Sequence, residues 1–382
     1  MKNTREPLLH ITKNDAMPPK KALLIRIIAI ILALLVVGIL SVILIKANPL
    51  KIYKVMFTSP FIDTWTLLQS TAMMLLFGLA VIPAFRMKFW NMGANGQVLM
   101  GCLAAIACMR YFTNQVKLGD GLVMIIMIAA SILAAVVWAV VPAVFKALFN
   151  TNETLFTLMM NYIAIAIVNL MEFTWDKSGQ GHLGVVNLLS EDGWFPNIGG
   201  NKYLLSIIVA LIVAAILYVY IRYTKHGFEV DLVGESVNTA KYSGINVSRV
   251  IIRTLVLCGV ICGLMGALYA GSISHTVNSS VGGKGFTAIL VAWLAGFNPL
   301  IMILTSFFTE FVTSGAEHIS TVFNLGSNDF ANIVVGIIFF FVIGCEFFIR
   351  YRVSINPNYK KKAAAKAENV KAEDAKAEEV RK

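Results

Sequence analysis

Ten apolar stretches, separated mostly by short polar connections, leave this chain little room to fold as anything but a helical membrane protein. A helix needs about 20 mostly apolar residues to cross about 30 Å of hydrocarbon. The stretches run approximately over residues 23–45, 66–85, 89–109, 121–145, 154–175, 203–221, 250–270, 286–296, 299–316 and 331–349, the eighth being too short to cross alone. With 58% hydrophobic and 14% charged residues and a mean hydropathy of +0.75, the chain lies far outside the balance of a soluble domain. The expected fold is all-α and polytopic, with about 10 transmembrane helices. A cytoplasmic N-terminal segment over residues 1–22 precedes a transmembrane domain over 23–349, and a charged tail over 350–382 follows it.

An even number of crossings returns both termini to one side. That side then carries 24 of the 32 Lys and Arg residues, against 8 on the other. Basic residues concentrate on the cytoplasmic face, so a multi-pass protein of the cell membrane with both termini cytoplasmic is expected. A net charge of +11 invites a nucleic-acid reading, but much of the excess lies beside apolar stretches, where anionic lipid attracts it. Membrane lipid is the expected partner, and nucleic acid is not. The tail from Lys360 alternates Ala with charges of both signs and has no apolar face to bury. The first apolar run lacks a small-residue cleavage pattern, so it is expected to remain as a span. Cys102, Cys108, Cys258, Cys262 and Cys345 fall inside apolar runs without C-x-x-C spacing and read as small core hydrophobes.

Chemistry of its own is not expected from this chain. No phosphate-cradling G-x-x-x-x-G-K-[ST] loop occurs, and Gly282-Gly283-Lys284-Gly285 fails the spacing. Glu317-His318 lacks the second His of H-E-x-x-H, and no G-x-S-x-G elbow is present. Carriers driven by protons or sodium place charges deep in their spans. Here Glu172, Glu310 and Glu346 read as lying near span ends or on the outer side. Energy is therefore expected from another subunit.

The segment Arg222–Arg249 is where such a subunit would dock, because reversing direction takes far fewer residues than this. Ser236 is placed to cap a short helix over Val237–Ser243, which Gly244 ends. Ala240 and Gly244 offer a small-residue surface for close approach by a partner. Ser248 is positioned to cap the seventh span.

At these residues the chain resembles the permease subunits of ABC importers that handle simple sugars, branched-chain amino acids and nucleosides. The nucleoside-type pattern G-E-N-P-x-A-A-x-Y-A-G-I-N-V is similar to Gly234-Glu235-Ser236-Val237-Asn238-Thr239-Ala240-Lys241-Tyr242-Ser243-Gly244-Ile245-Asn246-Val247. Ser236, Val237 and Thr239 depart from it, which alters how the helix starts. Three further stretches resemble the family: Trp90 to Gln97, with Asn95 where Glu is usual, Asn152 to Ala164, and Gly285 to Ala295 followed by Asn298-Pro299. The resemblance implies the inverted-repeat, type II importer architecture. It also implies that Gly234, Glu235, Ser236, Asn238, Ala240 and Gly244 couple to a separate ATP-binding cassette subunit, which holds ATP and Mg. A second permease subunit, homologous or identical, and an external substrate-binding protein complete the expected assembly.

An inverted repeat would relate the second to fifth stretches to the seventh to tenth. Gly93 and Gly96 interrupt the second stretch of one half, as Gly282, Gly283 and Gly285 do in the other. Asn91, Asn95, Gln97, Asn161 and Asn169 supply uncharged amides inside apolar surroundings. They read either as a path for a neutral polar solute or as hydrogen bonds between helices. Phe89, Trp90 and Trp293 offer flat faces to a base, or belong to an interfacial aromatic belt. The outer connection from Asp176 to Lys202 is either a receptor for the binding protein or a simple structured loop. The expected function is nucleoside import. The alternatives are a simple-sugar permease of the same family and an ion-coupled carrier acting alone.

Overall fold

The computed structural model describes residues 9–13, 18–116, 118–176, 183–279, 284–325 and 329–355. In chain order the elements are β1 (Leu9–Lys13), α1 (Pro19–Ile45), α2 (Pro49–Thr58), α3 (Thr64–Arg86), α4 (Ala94–Tyr111), α5 (Asp120–Phe149), α6 (Glu153–Trp175) and α7 (Leu204–Tyr223). There follow α8 (Lys225–Glu235), α9 (Val237–Tyr242), α10 (Val247–Leu268), α11 (Gly285–Leu294), α12 (Pro299–Val322), α13 (Asp329–Arg350) and β2 (Tyr351–Ile355).

Eight helices among the described residues are long and apolar enough to cross a membrane: α1, α3, α5, α6, α7, α10, α12 and α13. The third and eighth of the ten expected stretches fall short. Asn95, Gly96 and Gln97 in its first turn dilute the apolarity of α4, and α11 has only 10 residues. Apolar patterning alone also passes over α2 and α8, which are too short or too polar to register as spans.

The chain divides into two units. In the unit made of residues 1–57 and 316–382, α1 packs on α13 and Arg26 Nη2 meets Glu346 Oε2 at 3.3 Å. Gly38 lets α2 approach α1, since a Cβ there would collide with the Tyr53 hydroxyl, which donates to Leu34 O at 2.6 Å. β1 pairs with β2 antiparallel, Leu9 opposite Ile355 and Lys13 opposite Tyr351. Both are short mixtures of β-favouring and polar residues at the edges of the apolar region, where no period is long enough to declare a strand.

In the unit spanning residues 58–315, α3 is the central helix, with 89% of its apolar stretch buried against 28% for α5 and 22% for α6. Its neighbours include α7, α10 and α11. α10 also packs on α4 and α5 through small residues that let backbones touch. A Cβ on Gly263 would lie 2.5 Å from Ile132 Cα, and one on Gly259 would lie 2.7 Å from Val136 Cα. Ser131 Oγ fills the resulting seam by donating to Gly263 O at 2.6 Å. After Leu268 the helix loosens into a π turn over Tyr269–Ile273.

Candidate functional site

The first turn of α4 lies among several buried polar side chains, Asn91, Gln97, Thr157 and Asn161. Asn91, just ahead of the helix, is fully buried, and its Oδ1 accepts from Gly93 N at 3.1 Å and from Gln97 Nε2 at 3.4 Å. Gln97 Oε1 accepts from Cys262 Sγ at 3.4 Å, which ties α4 to α10. Asn95 Nδ2 donates to Asn161 Oδ1 on α6 at 3.4 Å. The glycines bring these helices close: a Cβ on Gly93 would lie 2.8 Å from Thr157 O, and one on Gly96 would lie 3.0 Å from Asn161 Cα. Asn91 and Gln97 thus form one linked amide pair and Asn95 and Asn161 another, side by side at the start of α4. Among the described residues Asn91 Nδ2 and Asn95 Oδ1 keep no partner, so one donor and one acceptor stay open there.

Gly285, the first residue of α11, closes the cluster from the other half of the chain, because a Cβ there would lie 2.6 Å from Asn95 Cβ. Its neighbour Lys284 fixes the depth. Lys284 Nζ reaches Glu310 Oε2 at 2.6 Å, and Glu310 is 4% exposed. Glu310 stands eleven residues into α12, which at 1.5 Å per residue is about 16 Å along the helix. That is about half of a 30 Å hydrocarbon core. α11 is thus a half-length helix whose N-terminus starts near mid-depth beside uncharged amides. Irregular backbone at such depth occurs where protein or water satisfies it.

This depth corrects the sequence expectation for Glu310, which lies near the middle of a span rather than at its end; α12 extends to Val322, well past the apolar stretch from which the position was judged. Gly282 and Gly283 lie outside the described residues. Asn169 is exposed, further along α6 than Asn161, and takes no part in the cluster. Trp293 stands at the far end of α11 from Gly285 and is 51% exposed. Phe89 is buried, and Trp90 packs edge-on against Phe85 at 5.4 Å.

A second polar region occupies the connection from α7 to α10. Thr224 caps α8 by accepting from Gly227 N at 3.2 Å. Ser236 caps α9 by accepting from Thr239 N at 3.3 Å, and Gly244 leaves the helix at φ +77°. Two ion pairs fasten α8 to the spans: Arg86 of α3 to Asp231, with Nη2–Oδ2 at 2.5 Å, and Arg253 of α10 to Glu229 at 2.8 Å. Gly234 presses on the end of α3, where any Cβ would strike Arg86 O.

Two expectations for this region are overturned. Ala240 is 0% exposed and belongs to a core with Met87, Phe89, Val233 and Val250, so its methyl seats α9 on the chain's own body. The outward surface is instead Val237, 46% exposed, and Tyr242, 93% exposed, together with Glu235, Asn238 and Gly244. One apolar methyl every four residues does not reveal which face turns inward when the rest of a helix is polar. The cap of α10 is Asn246, whose Oδ1 accepts from Arg249 N at 3.1 Å. Ser248 donates to Ala147 O at 3.1 Å, fastening α10 to the end of α5.

On the opposite end of α10, the described part of the connection from α6 to α7 folds back on the π turn. Phe195 N donates to Gly271 O at 2.7 Å and Val186 N to His275 O at 2.9 Å. Trp194 stacks on His275 with ring centroids 3.6 Å apart. Burial, reinforced by the Lys202 charge, pushes the His275 imidazole down to about 4.

A bundle of this kind, with the short apolar helix α11 set against an amide cluster and a polar connection pinned to α3 and α10, is the arrangement of a polytopic helical membrane protein. The family model for the branched-chain amino acid transport system/permease component matches residues 64–343, and the chain belongs to this family of ABC importer permeases. Among its relatives, the guanosine ABC transporter permease protein NupP of Bacillus subtilis is 31% identical over 70% of this chain and 77% of its own length. The glucose ABC transporter permease protein TsgB13 of Haloferax volcanii is 28% identical, covering 85% of this chain and 88% of its own. The nucleoside ABC transporter permease protein NupB of Lactococcus lactis subsp. cremoris is 25% identical over 78% and 84%. No solved structure matches the chain.

Proposed function

We propose that this permease conducts nucleosides through the cell membrane, past the amide cluster at the start of α4. Both termini lie in the cytoplasm, a second permease subunit completes the path, and an external substrate-binding protein delivers the solute. A separate ATP-binding cassette subunit, holding ATP and Mg, grips the exposed face of α9. The observation that carries the reading is the meeting of Asn95, Asn161 and Gly285 near mid-depth, with a free amide donor and acceptor beside it. Neutral amides suit hydroxyls and base edges and favour neither charge. The nucleoside-named relatives NupP and NupB point the same way. Movement of the motor subunit reaches the spans through the Arg86–Asp231 and Arg253–Glu229 pairs. ATP shifts access only by stabilising one state over the other.

A simple sugar is the second reading, favoured by the near full-length match to TsgB13. Competition separates the two. In vesicles containing the whole importer, excess unlabelled guanosine should suppress labelled guanosine uptake and excess glucose should not. With labelled glucose in the same vesicles, uptake that unlabelled glucose suppresses and guanosine does not supports the sugar reading.

A further inference from the structure

Where α3 and α7 end and α8 and α12 begin, the second unit holds a cavity of about 510 Å³. Arg86, Arg222, Thr224, Asp231, Tyr218 and Asn298 are among its lining residues. Two guanidiniums face one carboxylate there. Asp231 is committed to Arg86, whereas Arg222 is exposed and has no side-chain partner among the described residues. The N-terminus of α8 opens at the cavity too, and its dipole favours an anion.

Position selects the kind of anion. Arg222 is the penultimate residue of a membrane-length helix and Pro299 the first of another, so the cavity sits at headgroup level. Two exposed apolar stripes run from it toward the membrane interior: Tyr223, Val219, Ile216 and Ile212 on α7, and Leu300 and Leu304 on α12. A basic cavity opening onto apolar stripes matches a molecule with an anionic head and hydrocarbon tails. We propose that it binds the headgroup of an anionic phospholipid, with Arg222 holding the phosphate and the acyl chains lying along α7 and α12. Because Arg86 and Asp231 line the same cavity, the lipid sits at the root of α8. This site depends on the chain spanning a bilayer and not on which solute it carries.

The full chain, purified in mild detergent and titrated with phosphatidylglycerol or phosphatidylcholine, can be read by native mass spectrometry. Phosphatidylglycerol should be retained about fivefold over phosphatidylcholine, the preference that one basic residue near a membrane surface confers. Arg222→Ala should abolish that preference and Arg222→Lys should keep most of it. Arg249→Ala, an exposed position on the same connection, should leave it intact. Phe228→Glu, which puts a carboxylate on the exposed rim of the cavity, should match Arg222→Ala and supplies a second variant at a surface position. Equal retention of the two lipids, or equal losses in Arg222→Ala and Arg249→Ala, overturns the site. Displacement of phosphatidylglycerol by an equal concentration of glycerol 3-phosphate shows a soluble phosphate site and overturns the lipid assignment.

Discussion

Arg86 grips Asp231 through two parallel hydrogen bonds, Nε to Oδ1 at 2.7 Å and Nη2 to Oδ2 at 2.5 Å, and so clamps α8 to the end of the central helix α3. Bidentate geometry makes the clamp directional as well as attractive. Asp231→Ala should cost about 1 kcal/mol of stability after allowance for solvent exposure. ATP-driven uptake should fall by much more than the amount of folded protein. Uptake per inserted permease measures this, and exchanging the two side chains should restore part of the loss.

The two faces of α9 should respond oppositely to substitution. Ala240 is enclosed by Met87, Phe89, Val233 and Val250, so Ala240→Trp overpacks a core and should destabilise by about 1–3 kcal/mol. Tyr242 is almost wholly exposed, and Tyr242→Ala should change stability by about 0.5 kcal/mol or less. It should nevertheless weaken co-purification of the ATP-binding subunit. Thermal unfolding and pull-down yield, measured side by side, separate seating from docking.

Asn95 holds Asn161 by a long hydrogen bond and abuts Gly285. Asn95→Ala should cost about 0.6 kcal/mol of stability, the average for a polar pair between membrane helices. On the proposed solute path through this cluster, losing the Asn95 amide should raise half-saturation for uptake roughly two- to tenfold. Gly285→Ala drives a methyl into Asn95 and should destabilise on its own. The Asn95→Gly/Gly285→Ala pair, which removes the Asn95 Cβ that the new methyl would strike at 2.6 Å, should be more stable than Gly285→Ala alone without recovering uptake, which places the loss in solute contact rather than folding.

His275 should make the packing of the α6–α7 connection sensitive to acid. Its folded value of about 4 lies below the ordinary histidine value of 6.5. Between these values the unfolded chain binds the extra proton and the folded one does not. The stabilisation is therefore complete above about pH 6.5 and is lost as pH falls toward 4. Because Trp194 stacks on His275, the difference in fluorescence between folded wild type and His275→Gln should change in a titration centred near pH 4. A change centred at the ordinary histidine value would show that the ring is not buried against Trp194.

Much of the membrane framework was legible in sequence because a run of apolar residues needs no partner to identify it. The cap at Ser236, the left-handed Gly244 and the short reach of α11 were likewise written in local chemistry. Facing was not. Ala240 reads as a docking methyl until its surroundings are known, and Glu310 reads as interfacial until α12 is seen to continue beyond it. The joining of Asn95 to both Asn161 and Gly285 spans 66 and 190 positions of chain, and no local period records such a meeting. The Asn246 cap was missed because Ser248 offered an equally good signal two residues later.

Whether this chain moves solute only under a partner's power is settled most directly in vesicles of defined content. Labelled guanosine should accumulate against its gradient when permease, ATP-binding subunit, binding protein and ATP are all present, and should stop accumulating when the ATP-binding subunit is left out. Uphill accumulation by vesicles containing this polypeptide alone would show instead an ion-coupled carrier, and the coupling role of α8 and α9 would fall with it.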